Sequence, residues 1–210
     1  MKKLKVLIAC EESQTICKSF RELGHEAFSC DLLPCNGGHP EWHIQGNVLE
    51  VLGDKWDLMI ANPPCTHLAV SGAKHFHRKQ KEQKEALDFV RKLMMSNILY
   101  ICIENPVSII STRIRKPDQI IQPWQFGEEV QKTTCLWLKN LPKLIPTKIV
   151  GKGEFYTSPS GKKMPLWYNK NRNPKKGNRQ KSRSVTFIGI AKAMAEQWGR
   201  LPKEIQKELR

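Results

Sequence analysis

Between Glu154 and Glu196 the chain carries no acidic residue at all, while Lys162, Lys163, Lys170, Arg172, Lys175, Lys176, Arg179, Lys181, Arg183 and Lys192 fall in the same stretch. A one-sided run of that kind excludes an acidic interaction tail and leaves the whole chain at a formal +15. An excess of that size favours a polyanionic partner. Also missing is any apolar stretch near the ~20 residues that a membrane-spanning helix needs. Met1-Lys2-Lys3-Leu4-Lys5 looks like the start of a secretory signal, but the apolar segment after it is short and Glu11-Glu12 follows at once, so a first strand of a cytoplasmic protein is expected. The 7 cysteines are odd in number and lack a repeating pattern, which argues for a reducing compartment over a disulfide framework. No internal repeat is visible.

What is present is a chain of 210 residues with 40% hydrophobic content, enough for one large domain with a real core. Its most informative feature is a pair of motifs. Asn62-Pro63-Pro64-Cys65 ends the apolar run Trp56–Ala61, and Glu104-Asn105-Pro106, 39 residues after Cys65, ends the run Tyr100–Ile103. A lone cysteine at a strand end is most often a small buried hydrophobe. Two prolines, however, stop a strand and fix the backbone that carries the thiol. A carboxyl directly after four apolar residues needs a partner or a raised pKa. Two short strands that each deliver one reactive side chain at the carboxyl end suit an open α/β enzyme, in which such residues converge on one crevice. A thiol and a carboxylic acid placed that way fit attack on an electron-poor ring whose nitrogen is protonated.

Along the chain, strands are expected at Lys5–Cys10, Glu26–Cys30, Trp56–Ala61, Tyr100–Ile103 and Thr134–Leu138. Helices are expected at Gln14–Leu23, with Ser13 as N-cap and Gly24 as stop, at Arg78–Asn97, at Ile188–Trp198 and near Lys203–Glu208. Asn47–Leu52 reads as a short strand or turn, and Thr66–His77 as a loop with Ser71-Gly72 as a hinge. Strands alternating with helices indicate an α/β fold with a mostly parallel sheet covered on both faces. Two prolines near Leu141–Thr147 suggest a boundary, giving one body from 1–140 and 183–210 and a short basic segment over 141–182. In that segment Trp167 and Tyr168 are interleaved with the cations, a pattern that suits phosphates and bases.

With these motifs the chain resembles a short DNA cytosine-C5 methyltransferase of the kind met in phages and prophages. Pro63-Pro64-Cys65 resembles the family's nucleophile motif and Glu104-Asn105-Pro106 its Glu-Asn-Val motif. Phe126-Gly127 through Gln131 and the strand Thr134–Leu138 look like the later Gly-x-x-Gln-x-Arg-x-Arg strand. Arg183-Ser184-Val185-Thr186 with the helix after it looks like the carboxyl-terminal segment that returns to the cofactor pocket. The resemblance implies a doubly wound Rossmann-like methyltransferase sheet, S-adenosylmethionine as cofactor and double-stranded DNA as partner, with no metal, no membrane and a monomer acting in the cytoplasm of a bacterium or phage-infected host. It implies Cys65 as nucleophile toward cytosine C6 and Glu104 as the acid at N3. It places Cys10, Glu11, Glu12, Gln14, Asp31, Asn47, Asn62, Pro63 and Ser184 about the cofactor. Lys132 and Thr133 are candidates for the group holding the cytosine oxygen, and Lys162, Lys163, Lys170, Arg172, Lys175, Lys176, Arg179 and Arg183 for DNA contacts.

The chain also departs from the family. Cys10-Glu11-Glu12-Ser13-Gln14 stands where the family has Phe-x-Gly-x-Gly, Gly46-Asn47-Val48 where it has Gly-Asp-Ile, and Gln131-Lys132-Thr133-Thr134-Cys135 lacks both family arginines. Asp31 can still bind ribose hydroxyls, and Asn47 can still accept from an adenine amino group, more weakly than a carboxylate. Other readings stay open. They are a DNA-binding relic without activity, an RNA cytosine methyltransferase, and an amino methyltransferase, which would also use Asn-Pro-Pro but needs no thiol. Cys30, Cys35, His39 and His43 have a zinc-compatible spacing, but Cys30 lies inside an apolar strand. His67, His75 and His77 suit phosphate contacts or plain exposure.

Overall fold

The computed structural model describes residues 3–167 and 185–200. Its centre is a seven-stranded sheet whose inner strands are apolar over most of their length. The strands are β1 (Lys5–Ala9), β2 (Glu26–Asp31), β3 (His43–Gln45), β4 (Leu58–Ala61), β5 (Tyr100–Asn105), β6 (Gln119–Ile121) and β7 (Thr134–Lys139), in the order β3-β2-β1-β4-β5-β7-β6. β3, β2, β1, β4 and β5 run parallel, and β7 is antiparallel to both β5 and β6. The apolar runs of β1, β4 and β5 have a physical cause: in the parallel centre of a sheet covered on both faces, the strands are shut off from water. Val6, Ile8, Ile60 and Cys102 face one core, shared with α1 (Thr15–Glu22) and α5 (Ile188–Trp198). Leu7, Ala9, Ala61 and Ile103 face the other, shared with α2 (Val48–Val51), α3 (Gln80–Met94) and α4 (Ile110–Arg113). Each large side chain fully buried there, such as Phe20 or Trp198, contributes roughly 1.5–3 kcal/mol over its exposed state.

This is the doubly wound, mostly parallel α/β sheet that the sequence led us to expect. The chain starts in the middle of the sheet, winds outward through β2 and β3, then returns to β4 beside β1. That reversal opens a crevice at the carboxyl ends of β1 and β4, where ligands of open α/β sheets bind. None of the described helices is long and apolar enough to cross a membrane.

Several local expectations are corrected. Asn47–Leu52 is neither strand nor turn but the short helix α2, because the Asn47 side chain accepts from Leu49 N at 3.1 Å and caps it. Ser13 does not cap α1. Gln14 occupies the N-cap position with φ 58, and the buried carboxylate of Glu11 accepts from Ile16 N (2.8 Å) and Cys17 N (3.2 Å) instead. Val70–Arg78, expected as a loop up to His77 with Arg78 opening the next helix, is a 3-10 helix with no buried residue, and α3 begins at Gln80. Glu104 does not follow its strand but lies within β5. The short strands β3 and β6, α4, and the hairpin of β8 (Phe155–Thr157) and β9 (Lys163–Pro165) were not anticipated. Near the expected boundary, Leu144 is buried in the α1/α5 core, and Trp198 Nε1 donates to Pro142 O at 3.0 Å. The helix expected near Lys203–Glu208 lies outside the described residues.

Candidate active site

Ala61 on β4 pairs with Ile103 on β5, so Asn62 and Glu104 stand level at the carboxyl ends of neighbouring parallel strands. Side chains alternate along a strand, which puts both on the face shared with α1 and α5. The turn that follows is fixed from several sides. Asn105 Nδ2, buried, donates to Pro63 O at 2.9 Å. The Cys65 carbonyl accepts from Leu68 N (3.0 Å) and Ala69 N (2.8 Å), and Ile109 N donates to Leu68 O (2.9 Å). The turn carrying Cys65 is thereby fastened to the segment after Glu104, and buried Leu68 pins it to the core. The two sequence motifs thus form one rigid unit.

Their electrostatics are linked. Burial pushes the Glu104 carboxyl above the ordinary carboxylate range, while the Lys132 ammonium and a hydrogen bond from the Thr134 hydroxyl pull it back. That hydroxyl has one proton and also lies 3.3 Å from Lys132 O. Burial likewise raises the Cys65 thiol, the Glu104 charge raises it further, and Lys132 lowers it. The Glu104 charge thus opposes ionisation of Cys65, and Lys132 offsets burial at both groups.

A narrow crevice beside Glu104 is lined by Ile16 from α1, Ile190 and Met194 from α5, Asn62, Lys132, Thr134 and the segment Val185–Phe187. Lys132 Nζ donates to Val185 O at 2.9 Å and sits 5.6 Å from the Phe187 ring centre. Lys132 therefore points inward as a latch on the approach to α5. Thr133 Oγ1 accepts from Gln122 Nε2 at 2.8 Å. A second residue sets the same end of α5. Glu128 Oε1 accepts from Gly189 N (3.3 Å), and a Cβ at Gly189 would collide with Phe126 O.

At the ends of β1, β2 and β3 the polar groups are largely used within the protein. Cys10 adopts φ 60, and burial and Asp31 push its thiol to about 12, so it is an inert thiol. Glu11 is committed to the α1 N-terminus, and burial raises its carboxyl to about 7. Glu12 accepts from Asn36 through its carbonyl (3.0 Å) and carboxylate (3.4 Å). Gln14 is fully buried: its Nε2 donates to His39 O (2.8 Å) and Ser29 Oγ (3.3 Å), and its Oε1 accepts from His39 N (3.0 Å) and the Cys35 thiol (3.2 Å). The 35–39 loop closes so tightly on this segment that a Cβ at Gly37 would lie 2.5 Å from both Gln14 Cβ and Ser13 O. The Gln14 side chain therefore staples two loops together, and the Asn47 carbonyl serves as a helix cap. Asp31 accepts from Leu33 N (2.9 Å) and Leu32 N. A carboxylate has roughly four acceptor sites, so Asp31 keeps capacity for two ribose hydroxyls. With Leu32 and Leu33 exposed beside it, this edge fits a nucleoside better than the side chains of Glu11 and Gln14 do.

Lys162 and Lys163 lie exposed on the β8–β9 hairpin. Ser184, Lys170, Arg172, Lys175, Lys176, Arg179 and Arg183 lie outside the described residues. The zinc-like quartet has other partners: Cys35 bonds Gln14, His39 stacks on Trp42 at 3.8 Å, His43 Nδ1 pairs with Ser29 Oγ (2.9 Å), and Cys30 Sγ faces Gly46 O (3.7 Å). His75 and His77 are carried on the exposed 3-10 helix. His67 is half-buried and its Nδ1 has no partner among the described residues.

Sequence reasoning missed the capping role of Glu11 because it acts from five residues before its first acceptor contact, not from the usual capping-box spacing. Glu128 gave no local signal, since it caps a helix 61 residues away.

No protein family matches the sequence, and no curated protein does. Among solved structures, the crystal structure of S. pombe Dnmt2 methyltransferase is similar at TM-score 0.47 and 17% identity, over 67% of this chain and 50% of that one. A protein described as a DNA modification methyltransferase encoded within a prophage (E. coli) is similar at TM-score 0.47 and 12% identity, over 71% of this chain and 52% of that one. The chain spans about half the length of these two structures.

Proposed function

We propose that this protein transfers a methyl group to C5 of a cytosine in DNA, through a transient covalent bond between Cys65 and the base. The observation that carries the reading is the Cys65–Glu104 pair, with the turn after β4 that carries Cys65 tied to the end of β5 through Asn105 and the Glu104 charge felt at the Cys65 thiol. The Cys65 thiolate adds to C6 while Glu104 gives its proton to N3, so negative charge does not build on the ring. This step turns C5 into a nucleophile. S-adenosylmethionine, with its ribose on Asp31, would supply the electrophilic methyl group to C5 and leave as S-adenosylhomocysteine. A base then takes the C5 proton, the C6–sulfur bond breaks, and N3 returns its proton to Glu104. A raised Glu104 suits this role because the acid must still hold its proton near neutral pH. A base inside a duplex is out of reach of a buried pair, so the cytosine must be flipped out. The basic segment over 141–182 would hold the DNA backbone.

The test uses the need to lose the C5 proton. DNA from an expressing strain is sequenced to find the methylated context, and duplexes are made with 5-fluorocytosine at the target. Wild-type protein with S-adenosylmethionine should form a denaturation-resistant adduct, and Cys65→Ser should form none, because a hydroxyl is far less nucleophilic than a thiolate. Methylation that survives intact in Cys65→Ser refutes the mechanism. The same assay on RNA decides whether RNA is the substrate. A second reading, a DNA-binding relic, draws on the self-satisfied loop at Glu11–Gln14. It requires that calorimetry find no S-adenosylmethionine binding with or without DNA.

A further inference from the structure

Asn62 is placed more firmly than a strand-end residue requires. Its backbone N–H donates to Ala9 O at 2.9 Å, which extends the β1–β4 ladder, and the next carbonyl, Pro63 O, is held by Asn105. Yet its side-chain Oδ1 is buried and has no hydrogen-bond partner among the described residues. A buried acceptor left without a donor costs roughly 1–3 kcal/mol, so a donor brought in by a ligand would be favoured there. Donors lining the same crevice have other partners: Lys132 Nζ donates to Val185 O, and the single proton of the Thr134 hydroxyl is taken by Glu104 or by Lys132 O. Asn62 lines the same crevice as Glu104 and stands level with it on the adjoining strand.

We infer that Asn62 reads the exocyclic amino group of the target base. The inference rests on the cytosine reading above. A protonated Glu104 offers an O–H donor, and Asn62 offers a carbonyl acceptor beside it. Cytosine presents the complement, an N3 acceptor next to a 4-amino donor. Uracil and thymine present an N3–H donor next to an O4 acceptor, so both contacts reverse and two like groups meet. A site built to hydrogen-bond a polar substituent rejects analogues lacking it, because its own buried group is then left unpaired. Asn62 is thus a specificity residue of the base pocket rather than a cofactor contact.

The experiment pairs a change in the protein with a change in the base. Duplexes in the mapped context carry either 5-fluorocytosine or 5-fluoro-2-pyrimidinone, which lacks the 4-amino group. Adduct formation is timed in single-turnover conditions. Asn62→Ala should slow the reaction of 5-fluorocytosine by about tenfold, the value of one hydrogen bond and its unpaired partner. It should leave 5-fluoro-2-pyrimidinone within about twofold, since no amino group remains to be read. Asn62→Asp keeps an acceptor and the side-chain shape, and should keep the preference for the amino-bearing ring. Equal slowing of both rings by Asn62→Ala, or loss of the preference in Asn62→Asp, refutes the inference and leaves the cytosine reading intact. A wild-type protein that forms no adduct with either ring removes both.

Discussion

The two ends of the crevice are built on opposite terms. Where β4 and β5 finish, polar side chains are left with unfilled capacity: Asn62 Oδ1 and Asn105 Oδ1 are buried without partners among the described residues, and burial raises both Cys65 and Glu104 while Lys132 lowers both. Where β1, β2 and β3 finish, Glu11, Gln14 and Asn47 direct their side chains into the protein's own helices and loops. The first end keeps free acceptors, whereas at the second Glu11, Gln14 and Asn47 serve as scaffold and Asp31 alone keeps acceptor capacity. A substitution at the β4–β5 end should therefore cost chemistry and spare stability, and one at the other end should do the reverse.

The largest test of that contrast is Glu104→Gln. An amide cannot give a proton to N3, so the rate of adduct formation should fall by roughly 10² to 10⁴-fold. Stability at neutral pH should hold or rise, because a buried acid with a raised pKa is replaced by a neutral group of the same shape. Urea unfolding beside the kinetics decides the matter, and a large loss of stability would make Glu104 a structural residue. Lys132→Met belongs to the same end. Lys132 lowers both Cys65 and Glu104, so its removal should move both limbs of the pH–rate profile upward. A profile that stays in place would mean Lys132 serves only as the latch to Val185.

At the other end Glu11 makes the next largest effect, and its sign is set by linkage. Below pH 4.5 the carboxyl carries its proton in both folded and unfolded chains. Between 4.5 and about 7 the folded chain keeps a proton that the unfolded chain has lost, so each step up in pH favours unfolding. At about 1.4 kcal/mol for each pH unit, roughly 3 kcal/mol of stability is lost across that window. Glu104 leans the same way. Glu11→Gln should flatten the dependence, leaving the Glu104 contribution, as read from urea midpoints between pH 4.5 and 8. An unchanged slope would show that the two helix N–H groups hold Glu11 ionised in the fold.

The contrast also explains what the sequence could convey. Asn62-Pro63-Pro64-Cys65 and Glu104-Asn105 were legible because each breaks an apolar run, and a buried parallel strand writes itself as such a run. The mostly parallel character of the sheet followed from the alternation of strands and helices. The scaffold end was not legible. Gln14 earns its place through contacts 15 to 25 residues away, and Glu11 caps a helix from outside the usual window. The strands β3 and β6 have three residues each, too few for periodicity to register. Asn47 drew attention as a cofactor contact through resemblance alone, whereas its geometry is that of a helix cap.

Asn47→Ala is the smallest test and the most discriminating for the scaffold end. The side chain accepts from Leu49 N at 3.1 Å, two residues on, and α2 has only four residues. Loss of such a cap costs about 1 kcal/mol, which urea unfolding resolves. If the cap is its whole role, S-adenosylmethionine affinity measured by calorimetry should change less than about twofold, because the carbonyl was never offered to the ligand. The carbonyl has a second lone pair, however, and an adenine amino group docked there would use it. In that case affinity should fall by roughly three- to tenfold, the net value of one hydrogen bond. Asp31→Ala is the comparison, since Asp31 keeps acceptor sites toward the crevice and should weaken binding by more than Asn47→Ala does. Equal losses in the two variants would place the nucleoside across both residues and end the division drawn between the two ends of the crevice.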